Sequence, residues 1–408
     1  NWWAPTFGKA WTYASLKASY SLTADRGPAS NSLAVFTSFT PWRPSTSANE
    51  SAIILAALEN SELTYEKKHE LNIGLALGFV DNRINVEFDW YRRNNFDLIG
   101  YTQTMGVGGV TTKLANDATM ESTGCEFTIS TTNIKTKDFK WTTDWIFGWA
   151  ENTITKLDSR SQVYSLVNGV GRTEGRPIGA LYSIPFAGLT EEGLPTFFID
   201  AEHTQVVGPG NYADIYFQEY ENIDYLKYEG TIDPKITGSF GNTFSWKGLK
   251  LNVFFTYSFG NVLRLDNLCP VYSSDYSDLT ASMKEMKNRW MVPGDENITT
   301  IPSIPTVRQM REIDALNNAY SAYNYSTERV AKGDFIRLKE LSLAYDLPKK
   351  YLEGQKAVSS FGVKLSATNL WLAYADKKLN GRDPEYYNTG GVSSPVPRQF
   401  TLTVKLGF

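Results

Sequence analysis

Phe400-Thr401-Leu402-Thr403-Val404-Lys405-Leu406-Gly407-Phe408 closes the chain. Phe400, Leu402, Val404, Leu406 and Phe408 alternate with Thr401, Thr403, Lys405 and Gly407. Successive side chains of a strand point to opposite faces, so this stretch offers one face to an apolar medium and one to water. The same period recurs upstream. Phe139, Trp141, Trp145, Phe147 and Trp149 share a face opposite Lys140, Thr142, Asp144 and Gly148. Leu251, Val253, Phe255, Tyr257 and Phe259 share another, as do Ile84, Val86, Phe88 and Trp90, and Phe361, Val363, Leu365 and Ala367.

Extending that reading predicts ten strands, at 11–24, 66–80, 83–98, 118–132, 138–150, 235–247, 250–262, 332–346, 358–370 and 396–408. The links between them alternate in length. Short ones fall at 81–82, 133–137, 248–249 and 347–357, and long ones at 25–65, 99–117, 151–234, 263–331 and 371–395. Outer-membrane barrels have short periplasmic turns and longer extracellular loops. The expected fold is therefore all-β, a transmembrane antiparallel β-barrel, with the first strand running outward and the last returning to the periplasm.

Composition agrees. The chain has 408 residues, 14% of them aromatic, yet its mean hydropathy is only −0.32. It lacks a run of about 20 apolar residues, which excludes helical membrane spans, whereas a barrel keeps a polar average because lipid-facing and lumen-facing residues alternate. A net charge of −4 argues against a nucleic-acid partner. Cys125 and Cys269 lie far apart and read as unpaired thiols; His69 and His203 lack a second ligand at metal-binding spacing. No catalytic residue, metal or cofactor is expected. The start, Asn1-Trp2-Trp3, has neither an initiator Met nor a signal peptide, so a processed, split or incompletely represented chain is expected.

Three patterns invite an enzymatic reading. Gly106–Val110 is glycine-rich but is not followed by a strand–helix unit, so a loop tip is the expectation. Asp383 and Glu385 could act as a glycosidase pair, but flank Pro384 in what reads as a turn. Neither histidine has a nucleophile context. The better candidates are tyrosines of the long links, whose rings stack on sugars or peptides and whose hydroxyls hydrogen-bond: Tyr212, Tyr216, Tyr220, Tyr225, Tyr228, Tyr320, Tyr323 and Tyr325. The alternative is that they pack the links against one another. Trp141, Trp145 and Trp149 read as lipid-facing or interfacial, and residues 277–290 as a short helix.

Motifs in order along the chain resemble SusC/RagA-type TonB-dependent outer-membrane transporters. They are Leu16-Lys17-Ala18-Ser19-Tyr20, Leu63-Thr64-Tyr65-Glu66, Glu70-Leu71-Asn72-Ile73-Gly74-Leu75, Asn82-Arg83-Ile84 with Asp89-Trp90-Tyr91, and Asn116, Met120, Gly124 and Glu126. Then come Glu174-Gly175-Arg176-Pro177-Ile178-Gly179, Ala187-Gly188-Leu189, Gly193-Leu194-Pro195, Gly333-Asp334-Phe335-Ile336-Arg337-Leu338, Asn369-Leu370-Trp371, Gly381-Arg382-Asp383-Pro384-Glu385 and Pro397-Arg398. Ser21, Ala118 and Ser122 stand where the family usually has Gly, Gly and Asn. The last strand resembles the C-terminal signal that barrel-assembly machinery reads, carried by Phe400, Leu402, Val404, Leu406 and Phe408.

The resemblance implies a plug inside a barrel of about 22 strands, of which residues 1–408 supply the C-terminal part, with the plug and the TonB-contacting segment outside this sequence. It also implies a SusD-like surface lipoprotein as lid, energy from the TonB complex, outer-membrane lipid around the wall, and import of a glycan, oligopeptide or other large nutrient. A passive porin or partner-platform barrel is the alternative, and a secreted β-rich binding protein a third reading.

Overall fold

The computed structural model describes residues 11–26, 32–40, 51–106, 109–268, 284–352, 358–387 and 397–408. Its main body is one ten-stranded sheet: β1 Trp11–Asp25, β2 Glu66–Phe79, β3 Ile84–Gln103, β4 Thr112–Lys135, β5 Phe139–Leu157, β6 Ile236–Trp246, β7 Leu249–Phe259, β8 Phe335–Asp346, β9 Ser360–Ala375 and β10 Gln399–Gly407. Each strand pairs antiparallel with its sequence neighbour, and the spatial order is the chain order. All ten expected strands are present.

Register turns ten alternating strands into two continuous surfaces. Leu16, Leu75, Phe88, Phe127, Phe147, Gly238, Tyr257, Ile336 and Tyr374 stand side by side on successive strands. One residue along, Lys17, Gly74, Asp89, Glu126, Gly148, Thr237 and Ser258 form the matching row on the opposite face. The apolar face is not packed against protein: Leu16 is 74% exposed, Phe400 69% and Leu402 67%. Exposed apolar surface of that extent marks contact with a partner or a membrane. A band spanning ten strands suits lipid, where closed strand pairing satisfies the backbone.

The turns at one end are tight. Lys247 and Gly248 both have positive φ (44° and 91°) and join β6 to β7, the two-residue geometry whose twist suits paired strands. Val80, Asp81 and Asn82 have positive φ between β2 and β3. At the other end the sheet runs further than the hydrophobic pattern suggests. β3 and β4 stay paired through Tyr101↔Leu114 to Gln103↔Thr112, so the expected link 99–117 shrinks to 104–111. It becomes shorter than the turn between β8 and β9, so the strict length parity gives way while the two-ended arrangement stands. The reason is a pair of register shifts between Asn95 and Ile99. They break the period-2 pattern without breaking the pairing. At roughly 3.3 Å per residue the 24 residues of β4 span about 80 Å, well beyond an apolar band about 25 Å tall.

Beyond that rim residues 158–235, 260–268 and 284–334 fold into a body of their own. It contains α1 Val163–Val167, α2 Val307–Glu312 and α3 Leu316–Asn324, a three-stranded sheet (Phe186–Leu189, Pro195–Phe198, Val206–Val207) and a ladder of Ala180–Ser183 with Lys227–Thr231. Its core includes Leu166, Val167, Phe197, Tyr212, Ala319 and Tyr323. Thr306 begins α2 with a reciprocal capping box to Gln309. The expected helix at 277–290 is not what forms where the chain is described: Lys284–Asn288 is a single 3-10 stretch, and residues 277–283 lie outside the described residues. Trp290 instead lays its ring against Gly193 and donates to Glu296 (3.1 Å).

Candidate functional site

The inner face carries the polar and charged side chains. Glu70 is pinned between Lys68 (2.6 Å) and Arg93 (3.0 Å), and Lys364 reaches Glu340 (3.2 Å). Glycines on this face let large neighbours lie flat: a Cβ at Gly124 would sit 2.4 Å from the Tyr91 hydroxyl, and one at Gly74 2.4 Å from an Asp89 oxygen.

The candidate carboxylate pair turns out to be a clamp. Asp383 and Glu385 both bind the guanidinium of Arg337 on β8, Glu385 at 3.1 Å. Arg337 is 3% exposed and Asp383 9%. Asp383 also accepts from the Glu385 backbone N–H (3.1 Å), closing the turn. With both acids engaged on one buried cation, the turn reading holds.

Asn116 is a second fastening. Its amide donates to the carbonyls of Thr64 (3.0 Å) and Asp97 (2.6 Å) and its oxygen accepts from the Thr64 N–H (2.8 Å). Thus the segment before β2 is tied to the bent part of β3, where Asp97 has φ 58°.

The loop tyrosines divide into two groups. Tyr212, Tyr225, Tyr320 and Tyr323 are buried in the loop body's core, and the Tyr212 and Tyr320 hydroxyls donate to the carbonyls of Pro195 and Ser303 (both 2.8 Å). Burial pushes the Tyr225 phenol up to about 12 and Tyr212 higher still. These four pack the links together. Tyr216 is exposed, and Tyr220, Tyr228 and Tyr325 are half-buried; the Arg176 guanidinium lies 4.3 Å over the Tyr228 ring.

Pattern reading passed over the arginine that organises this body. Arg264 donates to Ser183 Oγ (3.1 Å) and to the carbonyls of Ser326 (2.9 Å), Val167 (3.2 Å) and Tyr182 (2.5 Å). Burial lowers its pKa to about 10, so it keeps its charge at neutral pH. A lone Arg at the end of a short strand gives no sequence signal.

Tyr220 marks a polar cleft between the loop body and the rim of β3 and β4. Its hydroxyl accepts from Gln103 (2.6 Å) and Gln162 (2.5 Å). Two adjoining hollows of about 440 and 430 Å³ share Ser159, Arg160, Ser161 and Arg172. Neither arginine was singled out by the sequence, because only the folded links bring them to the rim.

The residues weighed for catalysis are scattered. His69 bonds Tyr20 (3.0 Å) and His203 stacks on Phe198. Cys125 is a free thiol on the apolar face, and Cys269 lies outside the described residues. Gly106 and Gly109 have positive φ, as a loop tip requires. Among the described residues, three or more His, Cys, Asp or Glu side chains nowhere converge as a metal site would need.

No family model matches the chain. Among curated proteins, TonB-dependent receptor P3 of Formosa agariphila is 27% identical over 385 residues, covering 87% of this chain and 35% of that protein. TonB-dependent receptor P26 of the same organism is 26% identical, covering 88% and 36%. TonB-dependent receptor SusC of Bacteroides thetaiotaomicron is 35% identical over 99 residues, 24% of this chain and 10% of that protein. Among solved structures, the RagAB peptide transporter superposes with a TM-score of 0.73 at 22% identity, covering 98% of this chain and 41% of that one. The chain thus spans a little over a third of the length of the first two receptors.

Proposed function

We propose that this chain, similar in sequence to TonB-dependent receptors and in fold to the RagAB peptide transporter, belongs with the SusC/RagA-type receptors of the Gram-negative outer membrane and forms the C-terminal wall of an active nutrient importer. The observation that carries this reading is the pairing of an exposed apolar face across ten strands with a folded loop body on one rim. A wall alone would serve any pore. A packed body over the mouth is what capture of a large solute calls for.

In this reading the long-link end faces outward and the short turns face the periplasm. A SusD-like lipoprotein covers the loop body, and the TonB complex acts through a segment outside this sequence. The solute is a glycan or an oligopeptide. Tyr216, Tyr220, Tyr228 and Tyr325, which are not fully buried, are the tyrosines this reading leaves to meet it, while Tyr212, Tyr225, Tyr320 and Tyr323 pack the loops together. The barrel-assembly machinery reads β10 and Phe408.

The test is growth of the source bacterium on defined glycans or peptides, with the gene deleted and then restored, in the presence and absence of a protonophore. Loss of uptake on deletion, and equal loss when the proton gradient collapses, is expected. Uptake indifferent to the gradient would overturn the active-transport reading.

A further inference from the structure

We propose that the turn end of the wall carries a site for an anionic phospholipid, whose phosphate is held by Arg83 in the hollow between β3 and β4. The observation behind it is an asymmetry of charge. Toward the long-link end, Lys67, Arg92, Lys156 and Lys235 each hold a carboxylate, those of Asp97, Glu121, Asp158 and Glu151. At the turn end, Arg83, Lys135, Lys137, Lys247 and Lys350 are all exposed, and none of them is ion-paired among the described residues. Asp81, Asp138 and Asp346 are the exposed acids of the same turns, too few to neutralise the rim. Just inside the turns lies a band of aromatic rings: Phe139 pairs with Trp246, and Trp141 stacks on Phe244 at 5.6 Å. Lys247 Nζ lies 5.7 Å from the Trp246 ring centroid, and Lys350 Nζ 4.8 Å from that of Tyr351. Interfacial rings with ammonium groups reaching beyond them form the arrangement that meets lipid headgroups. Unneutralised cations there select anionic ones.

Arg83 supplies the specific contact. Its Nε and Nη2 donate to the carbonyl of Thr132 (3.3 and 3.1 Å), and Nη2 also to that of Asn133 (2.9 Å), where the register of β4 shifts. Nη1 is left without a partner among the described residues and can meet a phosphate oxygen. The hollow beside it, about 380 Å³, is lined by Val80, Arg83, Ile84, Thr131, Thr132 and Asn133. Ile84 and Thr131 belong to the apolar face, so the hollow adjoins the surface along which acyl chains lie. A polar strip runs from it along that face, from Thr131 to Asn133 (2.8 Å), Asn133 to Thr143 (2.7 Å) and Thr143 to Asn242 (2.7 Å). Trp141 also donates to the Asn242 oxygen (2.9 Å), whereas the Asn242 amide nitrogen donates to nothing among the described residues. An unused amide donor facing hydrocarbon is costly, and an ester carbonyl of the seated lipid satisfies it. In the orientation proposed for the wall this rim lies in the periplasmic leaflet. The site rests on the wall's place in the outer membrane, not on import.

The experiment titrates the full-length receptor in detergent with phosphatidylglycerol, phosphatidylethanolamine and lipid A, each also in competition with soluble glycerophosphoglycerol. Native mass spectrometry counts the lipid retained. Wild type is expected to retain phosphatidylglycerol over the zwitterionic lipid. Arg83→Gln is expected to weaken that retention about fivefold, the worth of one basic residue at an anionic surface, with phosphatidylethanolamine unchanged. Lys135→Gln, Lys137→Gln and Lys247→Gln combined remove the preference, and Lys156→Gln at the far end keeps it. The lysine combination keeps the test open if Arg83→Gln fails to fold. Equal retention of the two phospholipids by wild type, or a preference that survives both rim variants, overturns the site. So does displacement by the soluble headgroup, which would make this a site for free phosphodiesters. Preference for lipid A would place the rim in the outer leaflet and overturn the assignment as well. None of these measurements involves nutrient or a proton gradient, so their failure leaves the import reading standing, and uptake indifferent to the gradient leaves this site standing.

Discussion

Arg337 on β8 and Asp383 in the link after β9, 46 residues apart in sequence, are joined as an ion pair almost wholly withdrawn from water. Removing one member of such a pair strands the other as a buried charge, at a cost of about 3–5 kcal/mol. Asp383→Ala is expected to destabilise by that order and Glu385→Ala by much less, because Glu385 is far more exposed. Urea unfolding of the folded barrel in detergent, followed by loss of heat-modifiable migration, reads the difference. Equal effects would show that the clamp does not depend on burial.

The two faces of β10 make opposite demands. Leu402 lies on the exposed apolar face and Thr403 on the other. Leu402→Arg is expected to cost about 2–4 kcal/mol if it stands near the bilayer midplane, and Thr403→Arg little. Comparing the folded fraction of each variant in outer-membrane preparations checks the face assignment, and equal tolerance would sink it.

Asn116 carries three hydrogen bonds that fasten residues 64 and 97 to one side chain. Asn116→Ala leaves those backbone groups without protein partners, at roughly 1–3 kcal/mol for each that stays out of water. Faster amide exchange across 60–66 is expected, with the barrel strands unchanged.

Gly193 has φ 76° and faces the Trp290 ring, with a Cβ position 2.4 Å from it. Gly193→Ala therefore meets both backbone strain and a clash that the ring can relieve only by moving. A loss above about 1 kcal/mol is expected, together with a changed tryptophan emission, while Gly175→Ala, open to solvent at φ 76°, shows the strain alone.

Alkali should loosen the loop body before the wall. The Tyr225 phenol is raised from 10.0 to about 12 by burial, so the unfolded loop releases its proton first. Its contribution is complete below pH 10 and is lost as pH rises from about 10 toward 12. Tyrosinate absorbance should therefore lag behind that of a denatured control. Coincident curves would mean that these rings are not buried.

Much of the wall was legible because a single physical rule writes it. Where lipid lies on one side and water on the other, side chains must alternate; β1 and β10 do so, and β5 and β7 do so but for Thr143, Ile146 and Phe254. The rule goes silent above the membrane. Around Tyr101 and Leu114 the apolar alternation has ended, and the bulges at Asn95–Ile99 shift the phase, so pairing continues unannounced. The loop body was hidden for a different reason. Its core joins α1, Phe197, Tyr212 and α3 from links far apart in sequence, and its tyrosines are spent on packing that a local pattern does not reveal. The Arg337 clamp lay between these cases: both motifs were visible, but not that one closes on the other.

The long strands β3 and β4 carry one more implication. Hydrogen-bonded ladders resist shortening, so the rim works as a stiff chimney whose height is set by residue count. In the importer proposed above, a solute at the top of that wall would stand clear of the apolar band, and side chains at the lip would set its preference without disturbing the masonry below.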